Sequence, residues 1–219
     1  MERKPKVTAI IAAAGSSVRM GFPKLLYNLE SGKSVLSLSI EAMFKSDFID
    51  EVVVVTKKEF FDISLKECEK YSSGKKYNVI EGAATRQESV KKGVLASSND
   101  TEFFAIHDGA RPFVTQEEIT AVISDAFNFN CAILGVPVKD TIKVVKGGVI
   151  TSTPKRETLF AAHTPQVFKA DIYKKALECE NLNEFTDDAS LLESIGVLVH
   201  LTVGKHSNKK VTTVDDLKG

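Results

Sequence analysis

Short apolar segments rich in β-branched residues alternate along the chain with longer segments whose apolar residues recur every three or four positions. The first kind of segment predicts strands, and the second predicts amphipathic helices. Strand–helix alternation of this kind favours an α/β fold with a parallel sheet that is covered by helices on both faces. The predicted strands are 7–12, 51–56, 77–80, 102–107, 131–136 and 197–203, and the predicted helices are 35–44, 59–71, 87–96 and 116–127.

The region after the 131–136 strand breaks this alternation. Residues 138–145 and 148–153 flank Lys146-Gly147-Gly148, a combination typical of a β-hairpin turn. Because an isolated hairpin is marginally stable, we interpret residues 138–156 as an arm that reaches across a dimer partner. A ribbon folded back on its own domain is the alternative. Since no repeat or linker divides the chain, we predict a single domain over residues 1–219.

The segment after the first predicted strand combines small residues with two cations. Ala13, Ala14 and Gly15 would let backbone N–H groups approach an anion closely, while Arg19 and Lys24 supply fixed positive charge to phosphate oxygens. Ligands of parallel α/β sheets bind at the carboxyl ends of the strands. The sequence therefore predicts a nucleotide site built around a triphosphate.

Two commoner phosphate-binding motifs do not fit this chain. Ser17 stands two residues after Gly15, where a dinucleotide-binding fingerprint needs a second glycine. Gly32-Lys33-Ser34 resembles the end of a P-loop, but Tyr27 occupies the position of the partner glycine. We interpret Gly32-Lys33-Ser34 as a turn before the 35–44 helix.

A carboxylate follows the 102–107 strand. Asp108 would face the same cleft as the Gly15 loop, and such a carboxylate suits a Mg²⁺ ion that bridges phosphate oxygens. Gly109 would allow close backbone approach. The alternative is that Asp108 only caps the following turn. The preceding His107 is interpreted as a hydrogen-bonded structural residue.

A second loop of small residues follows the 77–80 strand and enters a helix. Gly82 and Ala83, with Arg86 and Ser89 at the start of the helix, could hold a ribose or the edge of a base through backbone and side-chain hydrogen bonds. A simple helix cap is an equal alternative.

Composition narrows the class of protein. Lys and Arg together number 29, and Asp and Glu together also number 29, so the formal net charge is zero. This balance indicates neither a nucleic-acid partner nor a membrane surface. The scattered Cys68, Cys131 and Cys179 predict reduced thiols in the cytoplasm, and neither they nor the histidines show metal-ligand spacing. The apolar segment near the N-terminus is too short for a transmembrane helix, and the N-terminal segment lacks the build of a signal peptide.

Taken in order, these segments resemble the 2-C-methyl-D-erythritol 4-phosphate cytidylyltransferases, enzymes of the non-mevalonate isoprenoid pathway. The resemblance spans essentially the whole chain. The residues that carry it are Ala13-Ala14-Gly15, Arg19-Met20, Pro23-Lys24, Arg86 with Ser89, 107–112, 136–141, Thr164-Pro165-Gln166, 186–190 and Lys210-Val211-Thr212.

The resemblance implies a Rossmann-like nucleotidyltransferase fold, a homodimer formed through the 138–156 arm, and CTP, methylerythritol phosphate and Mg²⁺ as the molecules bound. It implies that Arg19, Lys24 and Lys210 stabilise charge at the α-phosphate and that Asp108 lies near the Mg²⁺. The implied CTP pocket is Ala13, Ala14, Gly15, Gly82, Ala83, Arg86, Ser89 and Gly109. The implied methylerythritol phosphate site is Asp108, Thr164, Thr186 and Arg156, with Arg156 reaching in from the partner's arm and also taking part in catalysis.

The chain departs from the family pattern at Ser17, Leu25, Ala83 and Lys209, none of which removes a charged catalytic group. Three alternatives stay open at this point. A ribitol 5-phosphate cytidylyltransferase would run the same chemistry on another polyol, and a non-catalytic module would bind CTP without releasing pyrophosphate. An NAD-dependent oxidoreductase is disfavoured by the missing glycines.

Overall fold

The structure is a computed structural model that describes residues 3–15, 23–179, 181–213 and 216. Its strands are β1 (Val7–Ala13), β2 (Glu51–Thr56), β3 (Lys76–Glu81), β4 (Phe103–Asp108), β5 (Cys131–Pro137), β6 (Val144–Lys146), β7 (Val149–Ser152), β8 (Phe160–Lys169) and β9 (His200–Val203). Its α-helices are α1 (Val35–Lys45), α2 (Phe61–Tyr71), α3 (Arg86–Leu95), α4 (Gln116–Phe129), α5 (Ala170–Ala176) and α6 (Asp188–Ser194).

Seven strands form the central sheet in the order β3-β2-β1-β4-β8-β5-β9. Strands β1, β2, β3 and β4 run parallel, and β9 runs parallel to β5. Strand β8 is antiparallel to both of its neighbours, β4 and β5. The predicted α/β class with a mostly parallel sheet is confirmed.

The sheet order places a topological switch between β1 and β4. The chain builds outward from β1 through β2 to β3, then returns to place β4 on the other side of β1. Connections on the two sides diverge at such a point and leave a crevice at the carboxyl ends of the strands. The pairing of Ala12 with Asp108 brings the ends of β1 and β4 to this crevice.

Alternating side chains of the strands feed two apolar cores, one on each face of the sheet. Ile11 of β1 packs with α1, α2 and α4 in one core, whereas Ile10 packs with α3, α5 and α6 in the other. Both isoleucines are fully buried. Helices therefore cover both faces, as predicted. Within the described part of the chain, no helix combines the length and apolar composition needed to cross a membrane.

Strand β8, which lies between β4 and β5 in the central sheet, was not predicted from the sequence. Strand β8 contains Pro165, which lacks an N–H donor, together with polar His163 and Gln166, so its pattern argues against a central strand. The pairing of β8 with β5 shifts register between Ile133 and Gly135, around this proline. The short helix α5 was also missed, and the predicted 197–203 strand shrinks to His200–Val203.

Strands β6 and β7 form a separate two-stranded antiparallel sheet. Gly147 and Gly148 supply its turn with φ of 56° and 80°, the left-handed backbone that a two-residue hairpin turn requires. Every residue of both strands is exposed. The predicted hairpin is confirmed, with strands shorter than the predicted segments.

Candidate active site

A cavity of about 530 Å³ opens at the carboxyl ends of β1 and β4. Its volume lies within the range of small-molecule sites. Small residues form one wall, and cations outnumber carboxylates among its charged side chains. The lining consists of Ala12, Ala13, Ala14, Gly15, Lys24, Leu25, Lys57, Ala83, Ala84, Thr85, Arg86, Ser89, Asp108, Ala110 and Lys210.

Asp108, the last residue of β4, is the centre of a charge cluster. Its Oδ1 accepts a hydrogen bond from Nε of Arg86 at 3.1 Å. Its Oδ2 lies 2.7 Å from Nζ of Lys210 and 3.8 Å from Nε of Arg111. The carboxylate thus faces three cations, which come from three separate segments of the chain.

These cations decide the ionisation state of Asp108. Burial alone would raise the pKa of the carboxyl, but the charges of Arg86, Lys210 and Arg111 outweigh burial and hold the pKa well below its usual range. Asp108 is therefore an anion at neutral pH. The cluster around it keeps a surplus of positive charge that favours an anionic ligand.

Hydrogen bonds to the 208–212 segment bring Lys24 and Lys210 to the cavity. Nη1 of Arg111 donates to the carbonyl of Asn208 at 2.8 Å, and the N–H of Val211 donates to the carbonyl of Ala110. Nζ of Lys24 in turn donates to the carbonyl of Val211 at 2.9 Å. Residues far apart in sequence, Lys24 and Lys210, thereby reach the same side of the cavity.

His107 stabilises the backbone of Asp108 through the hydroxyl of Thr164. His107 is fully buried. Its Nε2 donates a hydrogen bond to the carbonyl of Arg111 at 3.2 Å, so Nδ1 accepts a hydrogen bond from the hydroxyl of Thr164 at 3.1 Å. The same hydroxyl oxygen accepts the N–H of Asp108 at 3.0 Å. Burial lowers the pKa of His107 to about 4, so the ring is neutral. The predicted hydrogen-bonded structural histidine is confirmed.

The loop before α3 serves two purposes. Thr85 caps the helix, with a reciprocal capping box to Glu88, so the loop does cap α3, while its role in ligand binding stays a prediction. Arg86 and Ser89 nevertheless line the cavity as well. A Cβ at Gly82 would lie 2.4 Å from Cβ of Ala14, so only glycine lets the two loops approach this closely.

The structure brings most of the predicted site residues together. Ala13, Ala14, Gly15, Lys24, Ala83, Arg86, Ser89, Asp108 and Lys210 all line the cavity. Gly82 and Gly109 pack behind this lining against Ala14 and Ala13, and Thr164 is buried beneath Asp108.

Two further predicted residues lie outside the cavity lining, and a third is not among the described residues. Thr186 is exposed before α6. Arg156 is exposed on the segment after β7, where Nη1 donates to the carbonyl of Lys139 at 3.0 Å. Arg19, together with Ser17, falls outside the residues that the structure describes.

Lys57 is a cavity residue that the sequence analysis missed. It directly follows β2, at the same edge of the sheet as Asp108. The rule that ligands bind where parallel strands end could have identified it. Its Nζ lies 3.5 Å from Oε1 of Glu59.

The donor set limits the kind of metal site. Among the described residues, no group of three or more His, Cys, Asp or Glu side chains could hold a metal ion. Among the lining residues that the structure describes, Asp108 offers the one carboxylate. Such a donor fits Mg²⁺ that is held mainly by substrate phosphates, since this ion is commonly bound through one or two carboxylates.

Comparison with known families gives a match over nearly the whole chain. Residues 7–219 match the family model described as 2-C-methyl-D-erythritol 4-phosphate cytidylyltransferase. A protein of that name from Caldanaerobacter subterraneus subsp. tengcongensis is 41% identical over 218 residues, covering 96% of this chain and 95% of the relative. One from Trichodesmium erythraeum is 42% identical over 217 residues, covering 95% and 94%.

Solved structures agree with the sequence relatives. A 4-diphosphocytidyl-2C-methyl-D-erythritol synthase from Anaerococcus prevotii superposes with a TM-score of 0.87 at 29% identity, over 98% of this chain and 96% of that one. A 2-C-methyl-D-erythritol 4-phosphate cytidylyltransferase from Francisella tularensis superposes with a TM-score of 0.80 at 28% identity, over 97% and 96%.

Proposed function

The chain belongs to the 2-C-methyl-D-erythritol 4-phosphate cytidylyltransferase family, and from this premise we propose that the cavity between β1 and β4 is its active site. The family reaction transfers CMP from CTP to methylerythritol phosphate, which gives 4-diphosphocytidyl-2-C-methyl-D-erythritol and pyrophosphate for isoprenoid synthesis. The observation that carries the proposal is the meeting of Lys24, Arg86 and Lys210 with Asp108 in one cavity. The chain then acts as a single nucleotidyltransferase domain over residues 1–219.

The chemistry that this site must perform is mainly electrostatic. The phosphate of the acceptor has a second pKa near ~6 and is already a nucleophile at neutral pH. One of its oxygens bonds to the α-phosphorus of CTP, and the bond to the bridging oxygen breaks as pyrophosphate leaves. Lys24 and Lys210 neutralise the charge that this approach of two anions concentrates. Arg19 is proposed to add a further cation.

Small residues and one arginine support a nucleotide subsite. The walls formed by Ala13, Ala14, Gly15 and Ala83 let CTP approach the backbone closely. Ser89 accepts the N–H of Ala83 at 2.9 Å and so holds that wall in place. Arg86, on the adjoining wall, would face the nucleotide. Gly82 and Gly109 support the subsite by close packing.

The acceptor subsite is proposed beside Asp108. Thr164 fixes the backbone of Asp108, and Thr186 lies on the exposed approach to α6. Asp108 would hold a Mg²⁺ ion that arrives on the triphosphate, and the ion would supply further charge neutralisation when bound.

Arg156 is proposed to complete the acceptor subsite of a partner subunit. Val144, Val145, Val149 and Ile150 of the 138–156 arm are exposed large apolar residues. Exposed apolar patches mark protein interfaces, which supports a homodimer formed through the arm. Because all three cysteines are free thiols, we also propose that the protein works in the cytoplasm.

Pyrophosphate release tests this function. The enzyme is mixed with CTP and Mg²⁺, and methylerythritol phosphate and ribitol 5-phosphate are offered in parallel. We expect release with methylerythritol phosphate alone. Release with only ribitol 5-phosphate would reassign the acceptor, and release with neither would contradict catalysis altogether.

A further inference from the structure

Arg86 carries its charge in an unfavourable place. It is the first residue of α3, where the helix dipole is positive, and its side chain is only 24% exposed. Burial alone would lower the pKa of Arg86, but the charges of Asp188 and Asp108 outweigh burial and raise it above its ordinary value. The charge of this guanidinium is therefore stabilised by both carboxylates.

The second carboxylate, Asp188, lies behind Arg86. Its side chain is 1% exposed, and Oδ2 lies 2.8 Å from Nη1 of Arg86. Neither atom makes a hydrogen bond, so the contact is electrostatic. The contact is a close ion pair, and the loss of Arg86 would leave the buried carboxylate of Asp188 without a counter-charge.

Tyr173 fixes the other oxygen of Asp188. This residue of α5 is fully buried, with its ring stacked 5.1 Å from Phe168 and tilted 6.2 Å from Phe104. Its hydroxyl donates to Oδ1 of Asp188 at 2.6 Å. Burial and the charge of Asp188 raise the pKa of Tyr173 well above its usual range, so the hydroxyl remains a donor.

Gln166 holds the backbone on which Asp188 stands. From its place on β8, Oε1 accepts the N–H groups of Asp188 and Ala189 at 3.1 and 3.2 Å. Its Nε2 donates to Oδ2 of Asp187 at 2.9 Å. Core, backbone and side-chain contacts therefore all determine where the carboxylate of Asp188 points.

We propose that Asp188 and Tyr173 form an anchor pair that positions Arg86 for nucleotide binding. The pair holds Nη1 from behind while Asp108 holds Nε, so the guanidinium is fixed in orientation on the cavity wall. Both are positioning residues, since they act through Arg86. The inference rests on the proposed function of the cavity as the CTP site.

A double-mutant cycle tests the anchor pair. Affinity for CTP is measured by calorimetry on wild type, Tyr173→Phe, Arg86→Lys and the double variant. We expect Tyr173→Phe to weaken CTP binding about fivefold, roughly the value of one hydrogen bond. Lysine lacks the planar fork of arginine, so in the Arg86→Lys background the same change should have no further effect.

A merely structural role for Tyr173 predicts a different result. Its removal would then weaken binding by the same factor in both backgrounds, and this outcome would overturn the proposal. Asp188→Asn provides a second variant of nearly unchanged shape, and we expect it to weaken CTP binding by about tenfold or more, because it breaks a buried ion pair. Unchanged CTP affinity in Asp188→Asn would also overturn it.

Two controls separate this proposal from the proposed function. Tyr77→Phe changes a tyrosine of β3 that packs on Phe44 at 6.3 Å, in the other core, and it should leave CTP affinity unchanged. Pyrophosphate release by wild type is measured alongside. A wild type that binds no CTP and releases no pyrophosphate contradicts the function, whereas an active wild type with equal factors in the cycle contradicts only the anchor pair.

Discussion

The central sheet has an amino edge, where its parallel strands begin, and a carboxyl edge, where they end. Each edge buries a carboxylate, but the surroundings of the two carboxylates differ. At the amino edge, Oε2 of Glu51 accepts the hydroxyl of Thr8 at 3.0 Å and the N–H of Ser98 at 2.9 Å, beside a cavity of about 100 Å³. Nζ of Lys76 lies 3.6 Å from the other carboxylate oxygen, Oε1. Glu51 thus has mainly neutral hydrogen-bond donors around it, and these tie neighbouring segments together.

At the carboxyl edge, Asp108 faces Arg86, Arg111 and Lys210 instead, beside a cavity of about 530 Å³. Cations crowded around one carboxylate repel one another, and this edge carries more positive charge than Asp108 alone compensates. The surplus becomes useful when an anion enters. The comparison teaches that an excess of positive charge beside a cavity, rather than burial of a carboxylate, is what distinguishes the proposed active site from the other edge.

The largest effect should come from removing a cation at the carboxyl edge. Lys24→Ala is expected to lower kcat by about 10²–10³-fold, as the loss of one group that stabilises transition-state charge does, with a much smaller rise in KM for the sugar phosphate. Steady-state kinetics check this. Lys66→Ala, an exposed lysine of α2, serves as the control. Near-normal turnover of Lys24→Ala would break the comparison.

Acid should next expose the purely structural role of the histidine beneath Asp108. Folded His107 has a pKa of about 4, whereas the unfolded residue titrates near ~6.5. As the pH falls from 6.5 to 4, His107 binds a proton in the unfolded chain but stays neutral in the folded chain. The free energy of unfolding therefore falls, by about 3 kcal/mol in all.

Denaturant unfolding at pH 7 and at pH 4.5 measures this loss. His107→Gln should reduce the difference between the two pH values, while His206→Gln, which replaces an exposed histidine, should leave it unchanged. An equal pH dependence in wild type and His107→Gln would show that His107 does not contribute.

A smaller effect is expected at the arm. Arg156→Ala should raise KM for methylerythritol phosphate by about tenfold, the value of one charge-assisted hydrogen bond, and should leave KM for CTP nearly unchanged. Lys155→Ala, the exposed neighbour, is the matched control. If KM for methylerythritol phosphate stays the same in Arg156→Ala, the arm does not extend the carboxyl-edge site.

The sequence predicted those parts of the molecule in which local pattern and tertiary structure agree. Strands β1 and β2 are buried apolar runs, and Asp108 follows one such run, so both the sheet and its charged edge were predictable. The family prediction is confirmed by the match over residues 7–219.

Strand β8 could not be predicted, because Pro165 and its polar neighbours hide a central strand that only its partners β4 and β5 define. The partnership of Asp188 with Arg86 was hidden for a different reason. These residues are far apart in the sequence and are brought together only by folding. Contacts between distant segments leave no local pattern to detect.

The most direct test of the account exchanges one carboxylate for its amide at each edge. Asp108→Asn and Glu51→Gln are compared for pyrophosphate release and for the free energy of unfolding. We predict that Asp108→Asn loses activity by about 10²-fold, whereas Glu51→Gln keeps activity within about twofold and loses about 1–2 kcal/mol of stability. Retained turnover in Asp108→Asn, or an equal loss of activity in Glu51→Gln, would contradict the distinction between the two edges.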